Sequence, residues 1–158
     1  LQPSSNAERQ AKYQLGQAGN HLDFIRNDVI TYIENNYRTD PNNRSYFGYS
    51  MGGGFGAYIL LKQPDTFKNY ILGSPGLRGK ISYLTELASK NQQLNADVFI
   101  SYGTLEDGKH AEEFMTMLKN RNDNSLSLTH KLIEGSHQTA FPLTGVESVR
   151  WLKKLVKE

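Results

Sequence analysis

The hydrophobic positions of this chain fall into blocks that switch between a helical and an extended period. Leu22, Ile25, Val29, Ile30 and Ile33 share one helical face and predict an amphipathic helix from about 21 to 37. Residues 1–20 before it, including the run from Gln14 to Asn20, are polar and read as an irregular leader. Thr39-Asp40-Pro41-Asn42-Asn43 breaks the helix with turn chemistry and lacks the spaced ligands and closing glutamate of a calcium loop. Arg44-Ser45-Tyr46-Phe47 predicts a short strand, and Phe55 to Lys62 an apolar helix ended by Gln63-Pro64-Asp65. Asn69 to Gly73 predicts a second strand, and residues 81–94 a helix with Leu84, Leu87 and Ala88 inward.

The same alternation continues to the end. Asp97 to Tyr102 is a third strand, apolar enough to be covered on both faces. His110 to Arg121 is a helix with Phe114, Met117 and Leu118 inward, followed by the polar loop Asn122-Asp123-Asn124-Ser125. Ser127 to Ile133 is a fourth strand, and Val146 to Val156 a last helix carrying Trp151, Leu152 and Leu155. Strands alternating with helices predict an α/β fold, an open parallel sheet with right-handed crossovers and helices on both faces.

Composition narrows the function classes. With 158 residues, the chain is long enough for one domain with a real core. Eighteen basic against sixteen acidic residues leave a net charge of +2, which offers no footprint for nucleic acid or an anionic membrane. Lys153, Lys154 and Lys157 read as the solvated face of the last helix. The absence of cysteine excludes disulfides, thiolate metal sites and cysteine nucleophiles, and is compatible with a reducing or an oxidising compartment. No apolar run approaches the ~20 residues of a membrane span, and the polar first residues do not read as a signal peptide.

Candidate chemistry centres on Gly48-Tyr49-Ser50-Met51-Gly52, followed by Gly53 and Gly54. A G-x-S-x-G sequence between a strand and a helix has the form of a nucleophile elbow, which exposes the serine hydroxyl above the sheet. We expect the flanking glycines to avoid collision with neighbouring backbone, and the serine to hold a strained conformation. In open parallel sheets functional groups gather at the carboxyl ends of strands. That rule adds Glu106 and Asp107 after the third strand and His137 after the fourth, in the chain order serine, acid, histidine. Ser50 needs a base to become a nucleophile, and His137 is placed to be that base. A carboxylate would fix the imidazole tautomer; Glu106 is favoured, with Asp107 the alternative acid. The Met51 N–H is expected in the oxyanion hole.

Other residues carry weaker signals. His130 inside the fourth strand reads as a packed core histidine, and His21 and His110 as surface residues. No histidine pair has metal-ligand spacing, and this chemistry needs no cofactor. Tyr49, Tyr102 and Phe141 lie near the proposed site and could line an acyl or aryl pocket, with ordinary packing as the other reading.

Taken with Leu22-Asp23-Phe24-Ile25, Tyr32-Ile33-Glu34, Tyr37-Arg38-Thr39-Asp40, Gly73-Ser74-Pro75, Ile100 to Glu106 and Gly135-Ser136-His137, the chain resembles the esterase family of α/β-hydrolases. That family includes siderophore esterases, feruloyl esterases and S-formylglutathione hydrolases. The resemblance runs from about Gly19 onward and implies an α/β-hydrolase-type sheet and a serine ester hydrolase acting on a small-molecule ester. It also implies several strands before the elbow, so we expect the carboxyl-terminal portion of a larger hydrolase, with residues 21–158 carrying nucleophile, acid and histidine. An upstream segment or second chain would then complete the sheet and supply the second oxyanion donor. Two alternatives remain open: an acyltransferase using the same triad, and a non-catalytic, hydrolase-like interaction module.

Overall fold

The computed structural model describes residues 1–13, 15–90 and 93–155. Gln14 of the expected leader, positions 91–92 of the helix expected over 81–94, and Val156 and Lys157 of the last helix lie outside the described residues. The chain divides into two compact units, Leu1–Asn43 and Arg44–Glu158.

The first unit is helical. Residues expected to be irregular form α1 (Ala7–Tyr13). Asn6 caps it, its side-chain oxygen accepting the Arg9 N–H at 2.8 Å, and the alanines, Glu8, Arg9, Gln10 and Lys12 that follow are good helix formers. Gln10 ties the flanking chain down, accepting from Ser4 N–H and donating to the Leu15 carbonyl, each at 2.8 Å. The helix expected over 21–37 is present as α2 (Ala18–Phe24), a π-helical stretch (Ile25–Ile30) and α3 (Thr31–Asn36). Among the described residues of this unit only Leu22 is buried.

The second unit is built on four parallel strands in the order β1 (Ser45–Tyr49), β2 (Asn69–Gly73), β3 (Asp97–Gly103) and β4 (Ser127–Ile133). The connecting helices are α4 (Met51–Lys62), α5 (Ile81–Ala88) and α6 (Lys109–Lys119), with α7 (Ala140–Leu155) after β4. Sequential order with right-handed crossovers puts α4, α5 and α6 on one face and leaves the other to α7. Side-chain alternation matches. Ile71 and Phe99 point to α7 and pack with Trp151, Leu152 and Leu155, while Leu72 lies beneath Gly56 of α4.

Further expectations are corrected, among them the start of the last helix, which begins at Ala140 rather than Val146. Helix α4 starts at Met51 rather than Phe55, because Gly53 and Gly54 let it approach the backbone after β2: a Cβ on Gly54 would stand 2.8 Å from the Gly76 carbonyl oxygen, and one on Gly53 2.9 Å from that of Gly73. Helix α5 ends at Ala88, whose carbonyl accepts from the Arg121 guanidinium. On α6, Met115 is buried and Met117 only half-buried, since Met117 sits towards Thr85, whose hydroxyl donates to its sulfur at 3.4 Å. His130 is exposed rather than packed in the core, because β4 is the outer strand of the sheet; its ring stacks on Tyr102 with centroids 5.1 Å apart. Among the described residues no helix is long and apolar enough to cross a membrane.

Candidate active site

The carboxyl ends of all four strands converge on one hydrogen-bonded cluster. β1 runs into Ser50, whose φ of 55° and ψ of −115° place a non-glycine residue in a strained conformation, as an elbow requires. Backbone bonds hold it there: Ser50 N–H donates to the Gly73 carbonyl (2.9 Å), and its own carbonyl accepts from Gly76 (2.7 Å) and Gly54 (3.0 Å). A Cβ at Gly48 would run into the Gly52 carbonyl and the Tyr46 ring, so glycine is required on that flank. At Gly52 the nearest atom to an added Cβ is the Tyr46 hydroxyl, 3.9 Å away; the crowding expected on both flanks of the serine is therefore absent there. Tyr46 props the turn from below, its hydroxyl donating to the Gly52 carbonyl at 2.7 Å, and burial pushes its pKa up to about 12.

The loop after β4 brings His137 to Ser50, with Nε2 3.0 Å from Oγ. Gly135 makes this turn possible at φ 123°, a conformation open to glycine, and Thr139 Oγ1 accepts the Ser136 N–H at 2.8 Å. The loop after β3 brings Glu106 to the other side of the imidazole, with Oε2 2.7 Å from Nδ1. The two loops are laced together by Leu105 N–H to the Gly135 carbonyl (3.0 Å) and Gly135 N–H to Thr104 Oγ1 (3.1 Å).

Glu106 is largely buried, which pushes its carboxyl pKa up. Hydrogen bonds from Ser74, His137 and the Gly103 N–H, together with the His137 charge, outweigh that cost and hold the pKa below its ordinary value. The carboxylate is therefore ionised at neutral pH, which lets it accept from Nδ1–H and leave Nε2 free to accept a proton. A hydroxyl bonded to such an imidazole can be deprotonated as it attacks an electrophilic carbon.

The structure thus brings Ser50, His137 and Glu106 together and leaves Asp107 out. Asp107 is exposed and accepts the Lys109 N–H at 3.1 Å, at the start of α6. Met51 is the first residue of α4, where a backbone N–H has no carbonyl one turn earlier to bond. Tyr49 lies 5.3 Å from the His137 ring and 5.0 Å from Phe141, centroid to centroid. Tyr102, raised to about 12 mainly by burial, donates to Glu112 at 2.7 Å. It also lines a cavity of about 470 Å³ whose walls include Glu106 and His137 but not Ser50, Tyr49 or Phe141. His110 pairs with Glu113 at 3.0 Å.

Ser74 was visible in sequence only as part of Gly73-Ser74-Pro75, yet it contacts Glu106 directly, its hydroxyl donating to Oε1 at 2.7 Å. Its position one residue past β2 is the signal that could have found it, since the strand-end rule selects Ser50, Glu106 and His137 in the same way.

Comparison with known proteins gives the family and the fold. The family model described as Putative esterase matches residues 2–158. Ferri-bacillibactin esterase BesA of Bacillus subtilis (strain 168) is 32% identical over 130 residues, covering 78% of this chain and 42% of that protein. Among solved structures, the BES protein from Bacillus cereus superposes with a TM-score of 0.74 at 24% identity, covering 85% of this chain and 54% of the other. An IroE-like serine hydrolase from Shewanella oneidensis gives 0.75 at 23%, covering 88% and 48%. The fold is thus α/β-hydrolase-type, and the chain spans about half the length of the relatives it matches. With the family model matched from residue 2 to residue 158 and a curated relative at 32% identity, the chain belongs to the Putative esterase family.

Proposed function

We propose that this chain carries the acyl-transfer centre of a carboxylic ester hydrolase. The observation that carries the reading is the unbroken chain Ser50 Oγ–His137 Nε2 (3.0 Å) and His137 Nδ1–Glu106 Oε2 (2.7 Å), with the serine in an elbow conformation. His137 Nε2 takes the hydroxyl proton as Oγ attacks the ester carbonyl carbon. The oxyanion forms in reach of the Met51 N–H, at the positive end of α4. The imidazolium, steadied by Glu106, gives its proton to the leaving alkoxide, so the alcohol departs and an acyl-serine remains. A water molecule then repeats the cycle: His137 takes its proton, hydroxide adds to the acyl carbon, and the proton returns to Ser50 as the acid leaves. Every proton taken is given back, and no cofactor enters the balance. By similarity to ferri-bacillibactin esterase BesA, ferric siderophore esters are the substrate class to which we extend the proposal.

The test is a pre-steady-state burst with 4-nitrophenyl butyrate, alongside turnover of ferri-bacillibactin, comparing wild type with Ser50→Ala. A burst stoichiometric with protein, absent from the variant, is expected. Added alcohol that diverts most of the acyl group into a new ester would favour acyl transfer, and no burst in a folded wild type would favour a non-catalytic module.

A further inference from the structure

We propose that Ser74 and Tyr49 are positioning residues of the reaction: a pair of hydroxyls that holds Glu106 in register with His137 and ties both to the end of β1. The proposal rests on the ester-hydrolase reading above. Ser74 is buried and non-glycine, yet its φ is +38°. Glycine would take that backbone at no steric cost, so what serine supplies is its hydroxyl. Its backbone is fixed by N–H donation to the Ser101 carbonyl at 2.6 Å. The hydroxyl donates to Glu106 Oε1 at 2.7 Å, the same oxygen that accepts the Gly103 N–H at 2.7 Å. Two donors on Oε1 leave Oε2 to face His137, so they set the carboxylate's rotation as well as its charge.

Tyr49 completes the frame. Its hydroxyl oxygen lies 2.9 Å from Ser74 Oγ, and the hydroxyl donates to the His137 backbone carbonyl at 2.7 Å. Burial, with smaller effects from Ser74 and Glu106, keeps its pKa above the ordinary value, so it remains a donor at neutral pH. Two hydroxyl protons fill two of these three contacts, and the Ser74–Tyr49 approach is the one left without a proton of its own. Ser74 must give its proton to Glu106, because an ionised carboxylate only accepts, and Tyr49 is left to supply its own to the histidine loop. Tyr49 is also the residue immediately before Ser50, so nucleophile, base and acid are referred to one point at the ends of β1 and β2.

The experiment measures kcat, KM and the pH profile of kcat/KM for 4-nitrophenyl butyrate, and the rate of inactivation by diisopropyl fluorophosphate, in wild type, Ser74→Gly, Ser74→Ala and Tyr49→Phe. Ser74→Gly removes the hydroxyl and relieves the backbone, while Ser74→Ala removes it and keeps the serine's own Cβ and strain. Losing a hydrogen bond to a charged group lowers kcat by about 10–100-fold, with KM within a factor of two. The acid limb of the profile moves to lower pH, because a carboxylate free to rotate spends less time stabilising the imidazolium. The other ionisable groups near Glu106 are Asp107 in its own loop, Tyr49, and Arg78, Tyr102, Lys109 and His110 on the adjoining cavity wall, and all but Tyr49 are unchanged in these variants. Tyr49→Phe gives a smaller fall in kcat and slower inactivation. A wild type that reacts with the fluorophosphate, matched by Ser74→Gly in rate and in pH profile, overturns the positioning role alone. A folded wild type that neither hydrolyses the ester nor reacts with the fluorophosphate overturns the ester-hydrolase reading and this proposal with it.

Discussion

Replacing Glu106 by glutamine keeps the shape of the side chain and asks what its charge and its two oxygens do. Oε1 accepts from Ser74 and from the Gly103 N–H, and Oε2 faces His137 Nδ1, all three contacts at 2.7 Å. A glutamine can sit in two ways. With its carbonyl in the Oε1 position it keeps Ser74 and Gly103, but its amide N–H then points at Nδ1. Nδ1 becomes an acceptor, the ring proton moves to Nε2, and Nε2 can no longer take the Ser50 proton across 3.0 Å. Turned over, the carbonyl faces Nδ1–H correctly, but the amide N–H meets the Gly103 N–H donor against donor. Leaving a buried donor unpaired costs about 1–3 kcal/mol, and exchanging a charged for a neutral partner of the imidazolium adds about 2. The sum of roughly 3–5 kcal/mol corresponds to about 10²–10⁴ in kcat at ~1.4 kcal/mol per tenfold. Steady-state hydrolysis of 4-nitrophenyl butyrate at neutral pH reads this directly, with circular dichroism as the check on folding. A loss below tenfold in a folded Glu106→Gln protein would refute the assignment of Glu106 as the group that orients His137.

Asp107→Asn should leave kcat within a factor of two in the same assay, since Asp107 contacts only the start of α6 among the bonds described and asparagine can still accept the Lys109 N–H. Gly54→Ala should lower stability by about 1–3 kcal/mol in urea melts, because its Cβ meets the backbone carbonyl of Gly76, which cannot rotate away. The same variant should slow the reaction, because Gly76 N–H and Gly54 N–H both bond the Ser50 carbonyl. Trp151→Ala should cost about 3–5 kcal/mol, as the indole is buried against Phe99 and Ile71 and its N–H donates to Thr129 at 3.2 Å. The folded Glu106 carboxyl lies below its ordinary 4.5, so its stabilising contribution is fully present above that pH and is lost as pH falls through the lowered folded value. Wild type should therefore lose more stability than Glu106→Gln in acid melts as pH falls below the ordinary 4.5, and parallel curves would refute this.

The parts of the molecule legible in sequence are those where one physical rule acts alone. The apolar runs at Asn69–Gly73 and Asp97–Gly103 can only be buried strands, and both lie at the centre of the sheet. The strand-end rule groups Ser50 and His137 with Glu106 and Asp107, and the distances separate the two acids. What escaped depends on tertiary neighbours. Helix α4 runs through Gly53 and Gly54 although glycine disfavours helices, because close backbone approach outweighs a propensity cost of about 1 kcal/mol each. His130 has the sequence context of a core residue and is exposed only because β4 pairs on one side. Choosing Met115 over Met117 on α6 needed the position of α5. Ser74 stands at a strand end like the others, but what it touches shows only once its hydroxyl is seen against Glu106.

The central claim is that Ser50 is activated by His137. Intact-mass analysis after treatment with a fluorophosphonate, with peptide mapping and Ser50→Ala and His137→Ala controls, tests it most directly. The account predicts one adduct per chain, mapped to Ser50, absent from the serine variant and strongly slowed in the histidine variant. No adduct on a folded wild-type protein, or one that forms equally fast without His137, would contradict it.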